Sequence, residues 1–284
     1  MKTFTTALMI CLASIALAQH EFKLDKTYDI GNSGTIYMKT DDADMTITGT
    51  DRTNVHVKVY WKLTTRGLTW GEKSFEVEVT ERGGDLYLDE VHRGGSIGVI
   101  GYSREEYIID IEAPKGVNLD IEGDDDDYII GDINGAISLN IDDGDAMLKN
   151  CRGERFSFDV DDGDIEMDQG RGELIVDMDD GDIEIRRAAF EQIRATIDDG
   201  DLIIETTLGD NSRYTIKGDD ADIVLNIIAG GGAFHIEHED SRLYTSGNFQ
   251  TLEKDDGFTK LQLGAGRASI NMRVDDASIR INAQ

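Results

Sequence analysis

A four-residue acidic phrase returns along this chain every 18 to 21 residues, and that period constrains the fold more than any other feature. It reads Asp124-Asp125-Asp126-Asp127, Asp142-Asp143-Gly144-Asp145, Asp161-Asp162-Gly163-Asp164, Asp179-Asp180-Gly181-Asp182, Asp198-Asp199-Gly200-Asp201 and Asp219-Asp220-Ala221-Asp222. Related phrases, Asp41-Asp42-Ala43-Asp44 and Asp275-Asp276-Ala277-Ser278, stand far from this block. A short, near-constant period marks one supersecondary unit stacked on copies of itself. Between phrases, apolar and polar residues alternate. Phe156, Phe158 and Val160 precede Asp161, and Ile165 and Met167 follow Asp164; Leu174, Val176 and Met178 then Ile183 and Ile185 repeat the pattern. Period-two alternation predicts half-buried strands.

Each unit reads as strand, acidic turn, short strand, second turn. Asp bonds nearby backbone and Gly supplies positive φ, so the phrase suits a corner. Second turns fall at Asn150-Cys151-Arg152-Gly153, Gln169-Gly170-Arg171-Gly172 and Leu208-Gly209-Asp210-Asn211, and Arg186 to Glu191 occupies the same register despite a helix-friendly composition. About 18 residues suffice for one coil, whereas a propeller blade needs about 40 and a βαβ unit needs a helical crossover. An antiparallel β-sandwich accounts for short strands but not for the constant register of the phrase. The expected fold is therefore all-β, a single-stranded right-handed parallel β-solenoid (β-helix-like) with 18–19-residue coils, its hand following the crossover rule. Leu139, Phe158, Met178 and Ile197 are expected to share one interior column.

Residues 1–19 read as a signal peptide: Lys2, an apolar run from Ala7 to Ala16, then Ala16-Leu17-Ala18 before Gln19. Lipidation at Cys11 is disfavoured by the bulky Ile10 before it. Residues 20–284 read as a single β-solenoid domain, with 20–113 as N-terminal coils with longer loops, 114–227 as the regular acidic repeat block and 228–284 as C-terminal coils. Excursions are expected at Trp61 to Gly71, Arg82 to Ser103 and Ser246 to Phe258. The chain is expected to be exported to the periplasm, cell surface or medium, with no transmembrane segment in the mature chain. Cys151 is then the one mature cysteine, a half-buried turn residue with no intramolecular disulfide partner.

The net charge is −30, and between Leu119 and Ile227 stand 32 acidic side chains against 9 basic ones. Such a surface repels nucleic acid and anionic membranes and favours cations or basic partners. Stacked phrases would place equivalent aspartates about 4.8 Å apart, where one like-charge pair costs roughly 1 kcal/mol in bulk water and more near a protein surface. Oxygen donors on flexible turns suit Ca²⁺. The candidate metal ligands are Asp143, Asp145, Asp162, Asp164, Asp180, Asp182, Asp199 and Asp201. In the competing reading each last Asp caps backbone N–H groups and the others are solvated.

A strand ending in Ala113-Pro114-Lys115-Gly116, followed by a ladder of Gly-Asp turns at Gly144-Asp145, Gly163-Asp164, Gly181-Asp182 and Gly200-Asp201, resembles the exported bacterial "putative adhesin" family of β-strand-repeat proteins, a domain of unknown function. That resemblance implies a β-repeat fold and a cell-surface, glycan or envelope partner. The chain departs from the family by placing Asp143, Asp162, Asp180 and Asp199 where Ser is usual. His235-Ile236-Glu237-His238-Glu239 reads as a solvated strand edge, since its side chains straddle the strand and fit tetrahedral zinc poorly. No nucleophile elbow is present, and Cys151 has no evident histidine partner. The expected role is non-catalytic, an adhesin or envelope scaffold. The alternative is a carbohydrate-active β-helix enzyme using Asp-bound calcium, which a broad groove of mixed acid and base would favour.

Overall fold

A computed structural model describes residues 17–70, 73–94 and 98–284. Most of the expected signal peptide, with Cys11, lies outside the described residues. All the described regular structure is β. The N-terminal third holds β1 (Leu17–Tyr28), β2 (Thr35–Thr40), β3 (Asp44–Thr50), β4 (Val55–Trp70), β5 (Lys73–Arg82), β6 (Asp85–Gly94) and β7 (Gly98–Pro114). The repeat block holds β8 (Asn118–Asp125), β9 (Asp127–Gly131), β10 (Ile137–Asp143), β11 (Ala146–Lys149), β12 (Arg155–Asp162), β13 (Ile165–Asp180), β14 (Ile183–Leu208) and β15 (Arg213–Gly230). Then come β16 (Gly232–Glu239), β17 (Arg242–Ser246), β18 (Phe249–Asp255), β19 (Phe258–Leu263), β20 (Ala268–Asp275) and β21 (Ser278–Ala283). They join in one continuous, nearly closed sheet.

Two parallel ladders run through it. One passes through β6, β2, β8, β10, β12 and β13, continues into β14 and β15, and ends through β20 at β16. The other runs from β7 through β3, β9, β11, β13, β14, β15 and β21 to β17. β14, 26 residues long, turns corners and serves both ladders. The acidic corners turn on Gly144, Gly163, Gly181 and Gly200, all at positive φ. The opposite corners turn on Asp132, Asn150, Gln169 and Arg187, each with φ between 54° and 72°. Arg187 thus places Arg186 to Glu191 at a second turn, as its register predicts.

The interior follows the alternation. Leu139, Phe158, Val176 and Ala195 pair in register, and beside them Ile141, Val160, Met178 and Ile197 do the same. The single column expected of Leu139, Phe158, Met178 and Ile197 is therefore two adjacent columns, all buried. The one-step offset arises because Phe158 lies three residues before its phrase and Met178 only one. Fully burying such side chains contributes about 1.5–3 kcal/mol each. Cys151 is fully buried rather than half-buried, its Sγ 3.7 Å from the Ile130 carbonyl, and burial pushes its thiol up to about 11.

The expected parallel fold needs correcting at both ends, where antiparallel strands occupy the excursions. β4 pairs with β7 from His56↔Glu112 to Trp70↔Gly98, and β1 lies along the other edge of β4. β5 and β6 form a second antiparallel pair. Phe75 of β5 packs on Trp61, Phe22 and Tyr107, which ties that pair to the first. Near the C-terminus β18 and β19 form a hairpin, and β19 pairs with β16. Because β16 is paired on both sides as far as Glu237, His235 to Glu237 lie inside the sheet, while His238 and Glu239 pair with β20 alone. The long reach of β4 and β7 was hidden by Gly67 and Gly101, which read as loop residues but face each other across the ladder.

Candidate functional site: the acidic turn ladder

The phrases stack. Asp145 N–H donates to Asp127 Oδ1 at 3.1 Å, Asp164 N–H to Asp145 at 3.0 Å, Asp182 N–H to Asp164 at 2.9 Å and Asp201 N–H to Asp182 at 2.9 Å. Asp127, Asp145, Asp164 and Asp182 thus each accept a charge-assisted bond from the next coil, not from their own corner. Between them the glycines nest so closely that a Cβ on Gly163 would lie 2.1 Å from the Gly144 carbonyl oxygen, and one on Gly200 1.9 Å from that of Gly181. The third position is Gly because the coils touch there.

The distant phrases are further rungs. Asp44 pairs with Asp127, and Asp127 N–H bonds the Ala43 carbonyl. At the far end Ser278 donates both its N–H (2.8 Å) and its Oγ–H (2.7 Å) to Asp222 Oδ1, and Arg280 reaches the other oxygen at 3.1 Å. Desolvation raises the Asp222 carboxyl, but these donors outweigh it and hold the group below the usual carboxylate range.

The second aspartates do something different. Asp143 stands in register between Asp125 and Asp162, Asp162 pairs with Asp180, and Asp199 with Asp220. Like charges opposite one another on adjacent strands are destabilising. Partial loss of water, then the charges of Asp125 and Asp162, push the Asp143 carboxyl up. Asp201 is raised by desolvation and by Asp182 and Asp222. Of the eight candidate ligands, Asp145, Asp164 and Asp182 thus accept backbone bonds from the next coil, Asp201 is half-buried and donates its own N–H to Asp182, and Asp143, Asp162, Asp180 and Asp199 face solvent. Among the described residues no group of three carboxylate, His or Cys side chains converges to hold a metal ion.

One member of the series is a buried polar plug. Asp126 replaces the corner glycine and is wholly buried, accepting from Thr40 Oγ1 at 2.8 Å and Tyr128 Oη at 3.0 Å and from the Ala43 N–H. Gly123 stands in register with Ile141, and its missing side chain leaves the space these groups fill: a Cβ there would meet Tyr128 Oη at 1.9 Å. Burial raises the Asp126 carboxyl. The sequence signal was a phrase with Asp at the corner position and Tyr two residues on. Beside this plug a cleft of about 330 Å³ is lined by Lys39, Asp41, Glu90, Glu122 and Asp124. Burial pushes Glu90 up to about 7, although it accepts the Asp41 N–H at 3.1 Å.

A groove of mixed acid and base does exist, a cleft of about 450 Å³ including Glu166, Asp168, Glu184, Arg186 and Arg187. Arg186 bonds both oxygens of Glu184, at 2.6 and 2.5 Å, and Arg187 grips Asp168. These arginines hold both carboxyls below their usual range. Retaining and inverting glycosidases need one carboxyl with a raised pKa as proton donor, and neither of these paired groups supplies it.

A family model matches residues 33–242, the span of the stacked coils: Toastrack DUF4097. The chain belongs to the Toastrack family, a domain of unknown function. The match starts just before β2 and ends as β17 begins, so Toastrack covers the rungs from Asp44 to Asp222. Among solved structures, a "putative adhesin" from Parabacteroides distasonis ATCC 8503 is 10% identical over 95% of this chain and 97% of that one, with a TM-score of 0.45. Another from Bacteroides fragilis NCTC 9343 is 10% identical over 92% and 97%, also with a TM-score of 0.45. No curated protein matches this chain.

Proposed function

We propose that this Toastrack chain is a non-catalytic, exported adhesin or envelope scaffold, and that its ladders wind as a right-handed solenoid presenting one acidic edge to cations. The observation that carries the reading is the division of labour within each phrase. The last aspartate binds coil to coil, while the second, exposed and in register with its own copies, adds repulsion that the fold does not need. A surplus of this kind is explained if cations sit between successive second-position carboxylates, with water completing their oxygen shell. A glycan or envelope partner would then meet a stiff acidic edge cross-linked through such ions. The carbohydrate-active alternative is disfavoured in the mixed groove, where arginines hold Asp168 and Glu184 below the range of a proton donor.

The test is calorimetry of the purified chain in CaCl₂ and in NaCl at equal ionic strength. Calcium is expected to raise the melting temperature further, since binding to the folded state alone at 100 times the dissociation constant adds about 2.7 kcal/mol per site. Replacing Asp143, Asp162, Asp180 and Asp199 with Ser should abolish the difference and raise stability in chelator. Equal melting temperatures in the two salts, with no saturable heat on titration, would reduce the acidic edge to solvated turns.

A further inference from the structure

The ribbon of β4 and β7 changes character along one face. Inward-facing Val57, Val59, Trp61, Leu63 and Thr65 are buried, so the even-numbered residues of β4 and their partners face outward. Travelling away from the coils, the outward pairs are Lys62↔Glu106, Thr64↔Arg104, Arg66↔Tyr102, Leu68↔Ile100 and Trp70↔Gly98. The face begins polar and ends apolar, with Leu68 67% exposed, Ile100 66%, and Trp70 and Tyr102 each 55%. Trp70 lies across Gly98: a Cβ there would sit 2.2 Å from the indole ring, so the glycine makes a seat for it. Contiguous apolar patches of this kind, rimmed by polar residues, mark interaction sites.

We propose that this distal face docks on the interface of an anionic lipid bilayer. Its charge points that way. The outward pairs from Lys62↔Glu106 to Trp70↔Gly98 carry three cations, Lys62, Arg66 and Arg104, against one carboxylate, Glu106, in a chain of net charge −30. The order of side chains matches a membrane interface, with aliphatic and aromatic residues at the end and arginines one or two pairs behind, placed to reach headgroups while their stems lie along apolar surface. Exposed apolar side chains at the end of a ribbon can enter a deformable phase directly, whereas a second folded copy would have to offer a matching surface. The acidic ladder does not forbid the approach. β7 pairs with the nearest coil only from Ile108 onward, so Tyr102 to Gly98 lie six to ten residues, roughly 20–34 Å, beyond it. That exceeds the screening length of about 8 Å at physiological salt. The repulsion expected of the acidic ladder is therefore screened at this end, leaving Glu106 as the carboxylate among the outward pairs.

The two tryptophans make the test selective, because Trp61 is buried and Trp70 exposed. Vesicles of phosphatidylcholine mixed with phosphatidylglycerol should shift tryptophan emission to the blue and carry the chain upward in a flotation gradient; phosphatidylcholine alone should do so far less. Leu68→Ser with Ile100→Ser should abolish both signals while leaving the melting temperature unchanged, as both side chains are exposed. Arg66→Gln with Arg104→Gln should weaken partitioning about thirty-fold on the mixed vesicles, each surface charge being worth roughly a factor of five, and remove the preference for anionic lipid. Mixed vesicles that leave the emission unchanged and do not float the chain would overturn the proposal. So would variants that float as well as the parent. A sedimentation-equilibrium dimer dissociated by Leu68→Ser and Ile100→Ser, without flotation of the parent, would make the face a self-association surface instead.

Discussion

Gly181→Ala tests whether the coils are held at the contact distance of their corners. In the structure a Cβ on Gly181 falls 2.2 Å from the Gly163 carbonyl oxygen, and its φ is 119°. Real Cβ contacts do not fall below 3.0 Å, so the two coils must part by about 0.8 Å or the corner must refold. Parting stretches the flanking bonds, Asp182 N–H to Asp164 Oδ1 at 2.9 Å and Ile165 N–H to the Asp182 carbonyl at 2.8 Å, to about 3.7 Å, beyond hydrogen-bonding range. Two lost bonds at about 1 kcal/mol each, with about 1–3 kcal/mol for a side chain in a glycine-only backbone region, give roughly 3–5 kcal/mol. For a domain of this size that lowers the melting temperature by about 10 °C. Ala221, in register with Gly200, shows what the escape requires, since its φ is not positive and its corner is built differently. Gly131→Ala is the control: its φ is not positive, and the nearest atom to an added Cβ is 3.9 Å away. Thermal melts of the two variants should separate clearly. If Gly181→Ala melted within 2 °C or so of Gly131→Ala, tight glycine stacking would not set the coil spacing.

At the last position of the phrase, Asp164→Asn keeps an acceptor for the Asp182 N–H and removes a charge between Asp145 and Asp182, so urea melts should show it neutral or stabilising. Asp164→Ala removes the acceptor too and should be destabilised by about 1 kcal/mol relative to Asn; equal stabilities would mean that the coil-to-coil bond contributes nothing. Glu90 sits near 7 in the fold against an ordinary value of 4.5. Between those values the native state binds more protons than the unfolded one, so this group makes stability fall as pH climbs from about 4.5 to 7. Glu90→Gln should flatten that part of the pH–stability curve; an unchanged slope would refute the assignment.

Periodicity alone exposed the coil, the corner glycines and the inward strand faces, because stacking requires every copy to repeat the same steric solution. Partners were less legible. Alternation tells which face of β3 is buried but not that Asp44 lies against Asp127, and nothing local marks β4 and β7 as a ribbon when Gly67 and Gly101 interrupt their pattern. The direction of the carboxylate bonds was equally hidden. An Asp beside a turn glycine usually serves its own corner, whereas here stacking brings the N–H of the next coil within reach of Asp145, Asp164 and Asp182. Asp126 was obscured for the opposite reason: it wears the charge of its neighbours but occupies space freed by Gly123.

The placement of Asp44 also sets an order of events. Rungs within the repeat block join residues 18 to 21 positions apart, but Asp44 meets Asp127 across 83 positions and Asp222 meets Ser278 across 56. Chain closure over short separations is fast and over long ones slow. A chain growing from its N-terminus therefore cannot complete its first rung until residue 127 has emerged, although the antiparallel pair of β5 and β6 can close before then. The acidic coils close over short separations, whereas β2 and β3, though made first, can meet β8 and β9 only afterwards.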